Sequence, residues 1–139
     1  MATPASIHPL NALKDAIRAQ LAADPLVTGF LAGNKVFDEA PRGDPAPLAV
    51  FGEGLVKDAS SAGSRSHDIQ LAVILKARRG ESAAALAAAA AIDGLLSDAD
   101  LALAGHHLVS LMVVETRLRG TDRDGWSVTL KLRAFVEAA

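Results

Sequence analysis

Apolar residues near the start of the chain follow the period of a helix. They recur at three- and four-residue intervals from Leu10 to Leu21, and Pro9 suits the first turn of such a helix. The Asp24-Pro25 pair interrupts this pattern. We therefore expect one helix that ends near Ala23, followed by a turn that packs Leu26, Phe30 and Leu31 onto the core.

Five later segments have the composition or the alternation of strands, namely 35–38, 48–53, 67–77, 106–117 and 126–136. The clearest is 67–77, in which every second residue from Ile69 to Leu75 is a large aliphatic one. The last two segments flank a turn at 118–125 and predict a long hairpin. The proline-rich segment 40–47 predicts an extended loop, and the small polar residues of 54–66 predict a mobile loop.

An alanine-rich segment from Gly80 to Ser97 predicts a second helix. Its small side chains suit close packing against a sheet or another helix. The apolar stripe that we expect to face the core consists of Leu86, Ala89, Ile92 and Leu96.

Together these elements predict an α+β fold in a single domain spanning residues 1–139. The expected order is α-β-β-β-α-β-β, arranged as a two-layer sandwich. About five mostly antiparallel strands would form the sheet, with two helices on one of its faces. Residues 1–7 are expected to be a flexible lead-in, and 54–66 a mobile loop.

Composition narrows the possible functions. The chain has 139 residues, no cysteine and a formal net charge of −2. The lack of cysteine excludes disulfides, thiol catalysis and cysteine-ligated zinc. The start of the sequence lacks a secretory signal pattern, and no apolar run approaches the length of a membrane span. We therefore expect a cytoplasmic protein without a membrane partner.

Residues that could carry out chemistry are few. His106 and His107 are adjacent, so in a strand they point to opposite faces and are poorly placed to share a metal ion. A Gly52-Glu-Gly segment lacks the remainder of a dinucleotide-binding motif. We expect no metal and no cofactor.

One region offers the residue types of an acid, a nucleophile and a base, namely Glu53, Asp58, Ser60 and His67. These residues fall in or beside the loop expected to be mobile, where catalytic geometry is hardest to hold. We therefore expect no enzymatic activity. A ligand-binding module in the 53–67 region remains an alternative, as does a small cytoplasmic adaptor that binds a protein without forming rings.

A basic end is conceivable if the termini of neighbouring strands meet. It would combine five arginines, at positions 78, 79, 117, 119 and 123. Asp122 and Asp124 are interleaved with them, and aromatic residues that could stack on bases are absent from these segments. We favour an ordinary solvated rim over a nucleic-acid site.

The strand at 106–117 carries apolar residues on both faces. Leu108, Met112 and Val114 would lie opposite Val109, Leu111 and Val113. A sheet with helices on one face only should alternate with polar residues. The second apolar face is therefore expected to meet another subunit.

Four segments are similar to the tail completion, or tail terminator, proteins of long-tailed phages. They are 10–27, the Gly33-Asn-Lys-Val-Phe-Asp-Glu-Ala-Pro segment ahead of the proline loop, Pro47-Leu-Ala-Val-Phe-Gly-Glu, and Ala102-Leu-Ala-Gly-His-His-Leu-Val-Ser-Leu. The resemblance extends over nearly the whole chain and is greatest to the versions encoded by gene transfer agents of alphaproteobacteria. The strand ahead of the alanine helix departs from it, with Ala72-Val-Ile-Leu-Lys in place of an aromatic residue.

The resemblance implies a structural subunit of a phage-like particle. Such a subunit would form a homohexameric ring, terminate the tail tube and join it to the head-completion (stopper) ring. DNA would cross the lumen without sequence readout. The protein would assemble in the bacterial cytoplasm and then reside in the tail of the particle.

The resemblance assigns no interface residues by motif, so these are chosen by expected exposure. We expect contacts from the apolar strand face (Leu108, Met112, Val114), from the 54–66 loop (Lys57, Asp58, Arg65) and from the 118–125 turn (Arg119, Asp122, Arg123).

Overall fold

Three helices and six strands make up the described part of the chain. The computed structural model describes residues 8–33, 35–39, 42, 46–121 and 123–138. The helices are α1 (Pro9–Ala22), α2 (Pro25–Leu31) and α3 (Ser82–Leu96). The strands are β1 (Val36–Phe37), β2 (Leu48–Asp58), β3 (Ser66–Ala77), β4 (Ala102–Leu103), β5 (His106–Thr121) and β6 (Gly125–Ala138).

All six strands belong to one sheet, in the order β1-β2-β3-β6-β5-β4. β1 pairs with β2 in parallel, and the other neighbours pair antiparallel. The predicted α+β class is confirmed. The predicted numbers of about five strands and two helices are wrong by one each, because α2 and the two-residue β4 were not recognised. The lead-in at 1–7 and most of the 40–47 loop lie outside the described residues.

The core lies between the helices and one face of the sheet. In β3, every second residue from Ile69 to Leu75 is buried, as expected, and β6 contributes the matching row from Val128 to Val136. All buried side chains in the described ranges are apolar. Burial of this one face is therefore the main source of stability.

α1 and α2 meet at Asp24. α1 begins at Pro9, as predicted, and buries Leu13, Ile17 and Leu21. The Asp24 carboxylate accepts a hydrogen bond from the Val27 backbone N–H at 3.0 Å. Pro25 occupies the first turn of α2. The same pair that ends one helix therefore begins another.

The predicted turn at 26–33 is therefore wrong over most of its length. α2 buries Val27 and Leu31, while Leu26 is 53% exposed rather than packed on the core. Phe30 is half-buried against the core cluster. The helix ends at Ala32, which adopts a left-handed φ of 56°.

α3 lies against β3, β5, β6 and α2 with three of its alanines inward. Its buried face consists of Ala85, Ala88, Ala89, Ile92 and Leu96. Leu86, which we expected in the core, is 41% exposed. Alanine brings the helix close to the sheet, so the face with the smallest side chains is buried and the adjacent leucine points to solvent.

β2 and β3 form a hairpin that replaces the mobile loop expected at 54–66. β2 continues to Asp58, past a bulge between Phe51 and Gly54. Ser61 and Ser64 exchange two backbone hydrogen bonds at the tip. Pairing with β3 satisfies the backbone of this polar segment, so it forms a strand without an apolar alternation of its own.

β5 and β6 form the predicted long hairpin, but β5 is longer than expected. The strand continues to Thr121, so the segment 118–121 is not part of the turn. Gly125 has φ +88°, and a Cβ there would lie 2.7 Å from the Ala77 carbonyl oxygen. This close approach requires glycine, and it brings the hairpin end against the end of β3.

The orientation of α3 can be tested with two matched substitutions. Ile92→Asp should destabilise the protein by more than about 3 kcal/mol, because a carboxylate would be buried without a partner. Leu86→Asp should change stability by less than about 1 kcal/mol, because position 86 faces solvent. Thermal unfolding followed by circular dichroism measures both. Equal destabilisation by the two variants would contradict the observed orientation.

Candidate subunit interface

One face of the sheet, here called the bare face, is not covered by any described helix. It carries the residues that alternate with the buried rows, among them Leu55, Gln70, Met112, Lys131 and Arg133. Val114, at a bulge of β5, lines the same face and is 60% exposed. Leu55 and Met112 are also exposed on this face, with Gln70 and Arg133 between them, so its apolar groups are interspersed with polar ones.

A shallow groove of about 360 Å³ crosses the bare face. Its walls combine acidic, basic and apolar side chains, chiefly Glu53, Leu55, Gln70, Val114, Lys131 and Arg133. Specific small-molecule pockets are predominantly apolar and enclosed, with a few convergent polar groups. The mixed, open lining suits a contact with another protein surface better than a ligand pocket.

The strongest polar contact on the bare face joins β3 to β6. Arg133 donates from Nη2 to Asp68 Oδ2 at 2.9 Å and from Nε to Asp68 Oδ1 at 3.2 Å. These hydrogen bonds lower the pKa of the Asp68 carboxyl and raise the pKa of the Arg133 guanidinium. Arg133 also lies over the Phe135 ring, 5.1 Å from its centroid. The two central strands therefore present a fixed arrangement of charge.

A second charged group lies where β5 and β6 pair. Glu115 Oε2 is 3.3 Å from Lys131 Nζ, and Glu115 Oε1 is 3.8 Å from Arg117 Nη2. All three side chains are substantially exposed. Such exposed ion pairs add little stability, so these charges remain able to interact with a partner.

The tip of the β2–β3 hairpin is held by its own polar side chains. Asp58 Oδ1 accepts a hydrogen bond from the Ser60 backbone N–H at 2.9 Å, and hydrogen bonding by Ser60 lowers the pKa of Asp58. Ser60 Oγ donates to the Ser66 carbonyl and accepts from the Ser66 N–H. The hydroxyl thus closes the turn through its two hydrogen bonds with Ser66. This geometry does not support a nucleophile with a base.

The histidines lie at the same end of the sheet as this tip. His106 and His107 pair with Leu103 and Ala102 across the β4–β5 ladder, and as adjacent strand residues they point to opposite faces. Among residues that the structure describes, no three histidine, aspartate or glutamate side chains are grouped closely enough to hold a metal ion.

The opposite end of the sheet is basic. Ala77 pairs with Trp126 and Gly120 also pairs with Trp126, so the ends of β3 and β5 meet there. This end carries Lys76, Arg78, Arg79, Arg117, Arg119 and Arg123. Arg78 Nε donates to the Ala46 carbonyl at 2.7 Å. The strand termini thus meet as the sequence allowed, and Asp124 lies among the arginines.

The apolar residues predicted to form the interface do not all lie on the same face. Met112 and Val114 lie on the bare face, whereas Leu108 is only 6% exposed and belongs to the subunit's own core. A bulge between Leu108 and Ser110 shifts the register, which sequence alternation alone did not anticipate. Because of it, Leu108 and Leu111 share the buried side.

The charged candidates divide between the two ends. Lys57, Asp58 and Arg65 are exposed near the β2–β3 tip, and Arg119 and Arg123 are exposed at the basic end. Asp122 lies outside the described residues. Exposed Leu55 and Leu118 were missed as candidates, because both positions were expected to lie in loops.

Comparisons with known proteins identify the family of the chain. The family model described as "Tail completion protein gp17" matches residues 15–137. The chain therefore belongs to the tail completion protein family. A search of curated proteins finds no match.

A solved structure is similar over almost the whole chain. It is a chain of the "Virion of native gene transfer agent (GTA) particle", with 30% sequence identity and a TM-score of 0.83. The match covers 96% of this chain and 100% of that chain. The protein is thus a structural component of a phage-like tail. No helix in the described ranges is both long and apolar enough to cross a membrane.

The Asp68–Arg133 pair predicts a specific pH dependence. Because the hydrogen bonds from Arg133 hold the pKa of Asp68 below its usual range in the folded protein, the pair stabilises the fold above the pKa of the unfolded chain, and this contribution is lost as pH falls through the lowered pKa. Asp68→Asn should therefore lower the unfolding temperature at pH 7, and the difference from wild type should disappear once the pH falls below the lowered pKa of Asp68.

A double-mutant cycle with Arg133→Gln isolates this pair. The coupling between the two substitutions should be present at pH 7 and absent at the acidic limit. A coupling that does not change with pH would show that the two side chains act through packing instead.

Proposed function

We propose that this protein is a ring subunit that terminates the tail tube and joins it to the head-completion ring. The observation that carries the proposal is the bare face, which no described helix covers and which carries exposed Leu55, Met112 and Val114, as expected of a sheet surface that is completed only in an assembly. Membership of the tail completion family and the similarity to a chain of a gene transfer agent particle support it.

The placement of the hairpin tips supports two different neighbours along the tail. The strand register sets the β2–β3 tip beside Glu137 at one end and the β5–β6 tip beside Ala77 at the other. A subunit that joins two structures needs two distinct surfaces. We assign one tip to the tube side and the other to the connector side, without specifying which is which.

The role is one of assembly rather than catalysis. The polar groups of the 53–67 region serve the hairpin turn or the bare face. DNA would cross the lumen of the ring without base readout. Before assembly the protein would reside in the bacterial cytoplasm.

Imaging with the tube protein tests the ring directly. Co-expression with the tail tube protein should give capped tubes of uniform length that carry a ring at one end, with six subunits by mass measurement. The tube protein alone should give longer, uncapped tubes. A chain that stays monomeric and leaves tube length unchanged would overturn the proposal and favour an adaptor.

The two tips can be separated by charge reversal. Arg65→Glu and Arg123→Glu each alter an exposed side chain, so each should change stability by less than about 0.5 kcal/mol. We expect one variant to lose binding to the tube protein and the other to lose binding to the head-completion protein. Pull-downs with each purified partner measure this. Loss of the same partner by both variants would contradict the assignment of two ends.

A further inference from the structure

Two strand edges of the sheet remain open, and they lie on opposite margins. β1 covers β2 only at Ala49 and Val50, and β4 covers β5 only at His106 and His107. Further along β5, the segment 97–98 caps the edge through hydrogen bonds to Leu111 and Val113. Beyond these points the described residues provide no further strand for either edge.

The bulges decide which backbone groups point outward in the open parts. In β2, the Ala49 backbone N–H points outward, away from β3, and donates to the Lys35 carbonyl. The bulge between Phe51 and Gly54 then changes which alternate residues direct their backbone groups outward. The outward residues of the open part are consequently Gly54, Val56 and Asp58.

The same reasoning applies to β5. The Val113 backbone N–H points away from β6 and donates to Ser97 Oγ. The bulge between Val113 and Glu115 then changes which alternate residues of β5 direct their backbone groups outward. The outward residues that follow are Thr116, Leu118 and Gly120. Each margin therefore presents three residues with free backbone N–H and C=O groups, as far as the described residues show.

We propose that the open edge of β2 in one copy pairs antiparallel with the open edge of β5 in the next, so that the sheet continues around the ring. This inference rests on the proposed function and specifies its subunit contact. Pairing all three outward residues places Val56 opposite Leu118, with Gly54 opposite Gly120 and Asp58 opposite Thr116. Val56 and Leu118 then cover one another on the helix side of the sheet.

The charges that flank these residues are mostly, but not entirely, of opposite sign. On the bare face, Glu53 of β2 approaches Arg119 of the neighbour and Lys57 approaches Glu115 as diagonal pairs of opposite sign, whereas Lys57 lies directly opposite Arg117, a single pair of like charge. Because the contact joins two different surfaces, successive copies add head to tail, and a rotation that closes gives a ring.

The stagger of the two open parts matches a closed barrel. Val56 pairs with Ile69 of β3. Leu118 pairs with Val128 of β6, which in turn pairs with Leu75 of β3. The open part of β5 therefore lies six residues further along β3 than the open part of β2. Six residues correspond to about 20 Å along a strand, and four strand-to-strand steps to about 19 Å across the sheet. The implied strand tilt is about 45°, the upper end of the range for barrels.

The direction of the stagger indicates which face is inside. β3 and β5 are parallel and are joined through α3, and such crossovers are right-handed in about 98% of cases. Seen from the helix side with β3 pointing up, the open part of β5 is then at the upper right and that of β2 at the lower left. The right-handed twist of sheets brings these parts together when the helices lie outside and the bare face lines the lumen.

Engineered cysteines test this contact, since the chain has no native cysteine. Leu55→Cys and Arg119→Cys lie directly opposite in the proposed register. Within one copy they are three strands apart, more than about 14 Å, so they cannot form an internal disulfide. In capped tubes, oxidation of the double variant should give a ladder of covalent oligomers on a denaturing gel. Either single variant should remain monomeric.

Three controls define the outcomes. Gln70→Cys with Arg119→Cys should not cross-link, because β3 has no free edge. Cross-linking of Leu55→Cys with Arg117→Cys instead would overturn the register. Rings that form without any ladder would overturn edge pairing and leave the ring function intact, whereas absence of both rings and capped tubes would contradict the proposed function itself.

A proline variant probes the same edge without oxidation. Leu118→Pro removes a backbone donor that points away from β6, so the subunit should still fold, as proline is tolerated at such edge positions. Subunit association should weaken about tenfold per contact. Leu118→Thr keeps the donor and serves as the matched control. Equal association by the proline and threonine variants, with folding intact, would overturn the edge contact.

Discussion

Burial of a single face of the β3–β6 pair is the constraint on which the rest of the structure depends. Both strands are fully paired on either side, and each directs an unbroken apolar row toward the helices. α3 approaches this row closely because its inward residues include Ala85, Ala88 and Ala89. Since the helices cover only one face, the opposite face must satisfy its side chains by mutual pairing or by a partner, which explains its mixture of ion pairs and exposed aliphatic groups.

The bulges of β2 and β5 divide each outer strand into a capped half and an open half. The β2 bulge lies level with Ala72, and the β5 bulge lies level with Lys131, which pairs with Ala72. Before these bulges, each strand is covered by a short strand or capped by a turn. After them, no residue that the structure describes pairs with the outer edge. Bulges bend a strand and increase its twist. The same two features that curve the sheet therefore also limit where another chain can add.

The elements that could be predicted from the sequence are those in which apolar and polar positions alternate clearly. α1, the buried row of β3 and the β5–β6 hairpin all carry such contrast, so their existence and faces were predictable. The buried face of α3 was not, because its many alanines leave Leu86 as the most apolar residue in its first turns, whereas close packing favours the smallest side chains. The end of β2 and Leu118 were missed because backbone pairing, rather than side-chain pattern, keeps them in the sheet. Leu108 was assigned to the wrong side because a bulge shifts the alternation by one residue.

An unprotected strand edge is usually an aggregation hazard, so its charges are informative about which pairing it permits. If the open part of β5 paired with itself across a twofold axis with all three outward residues engaged, Arg117 and Arg119 would lie opposite one another twice. The open part of β2 instead offers Glu53, Leu55 and Lys57 on the same face. The head-to-tail register contains one like-charge pair, Lys57 opposite Arg117, so it carries less like-charge repulsion than this pairing of β5 with β5. Discrimination against a competing assembly, and not only attraction to the correct neighbour, is what a subunit needs in order to close a ring.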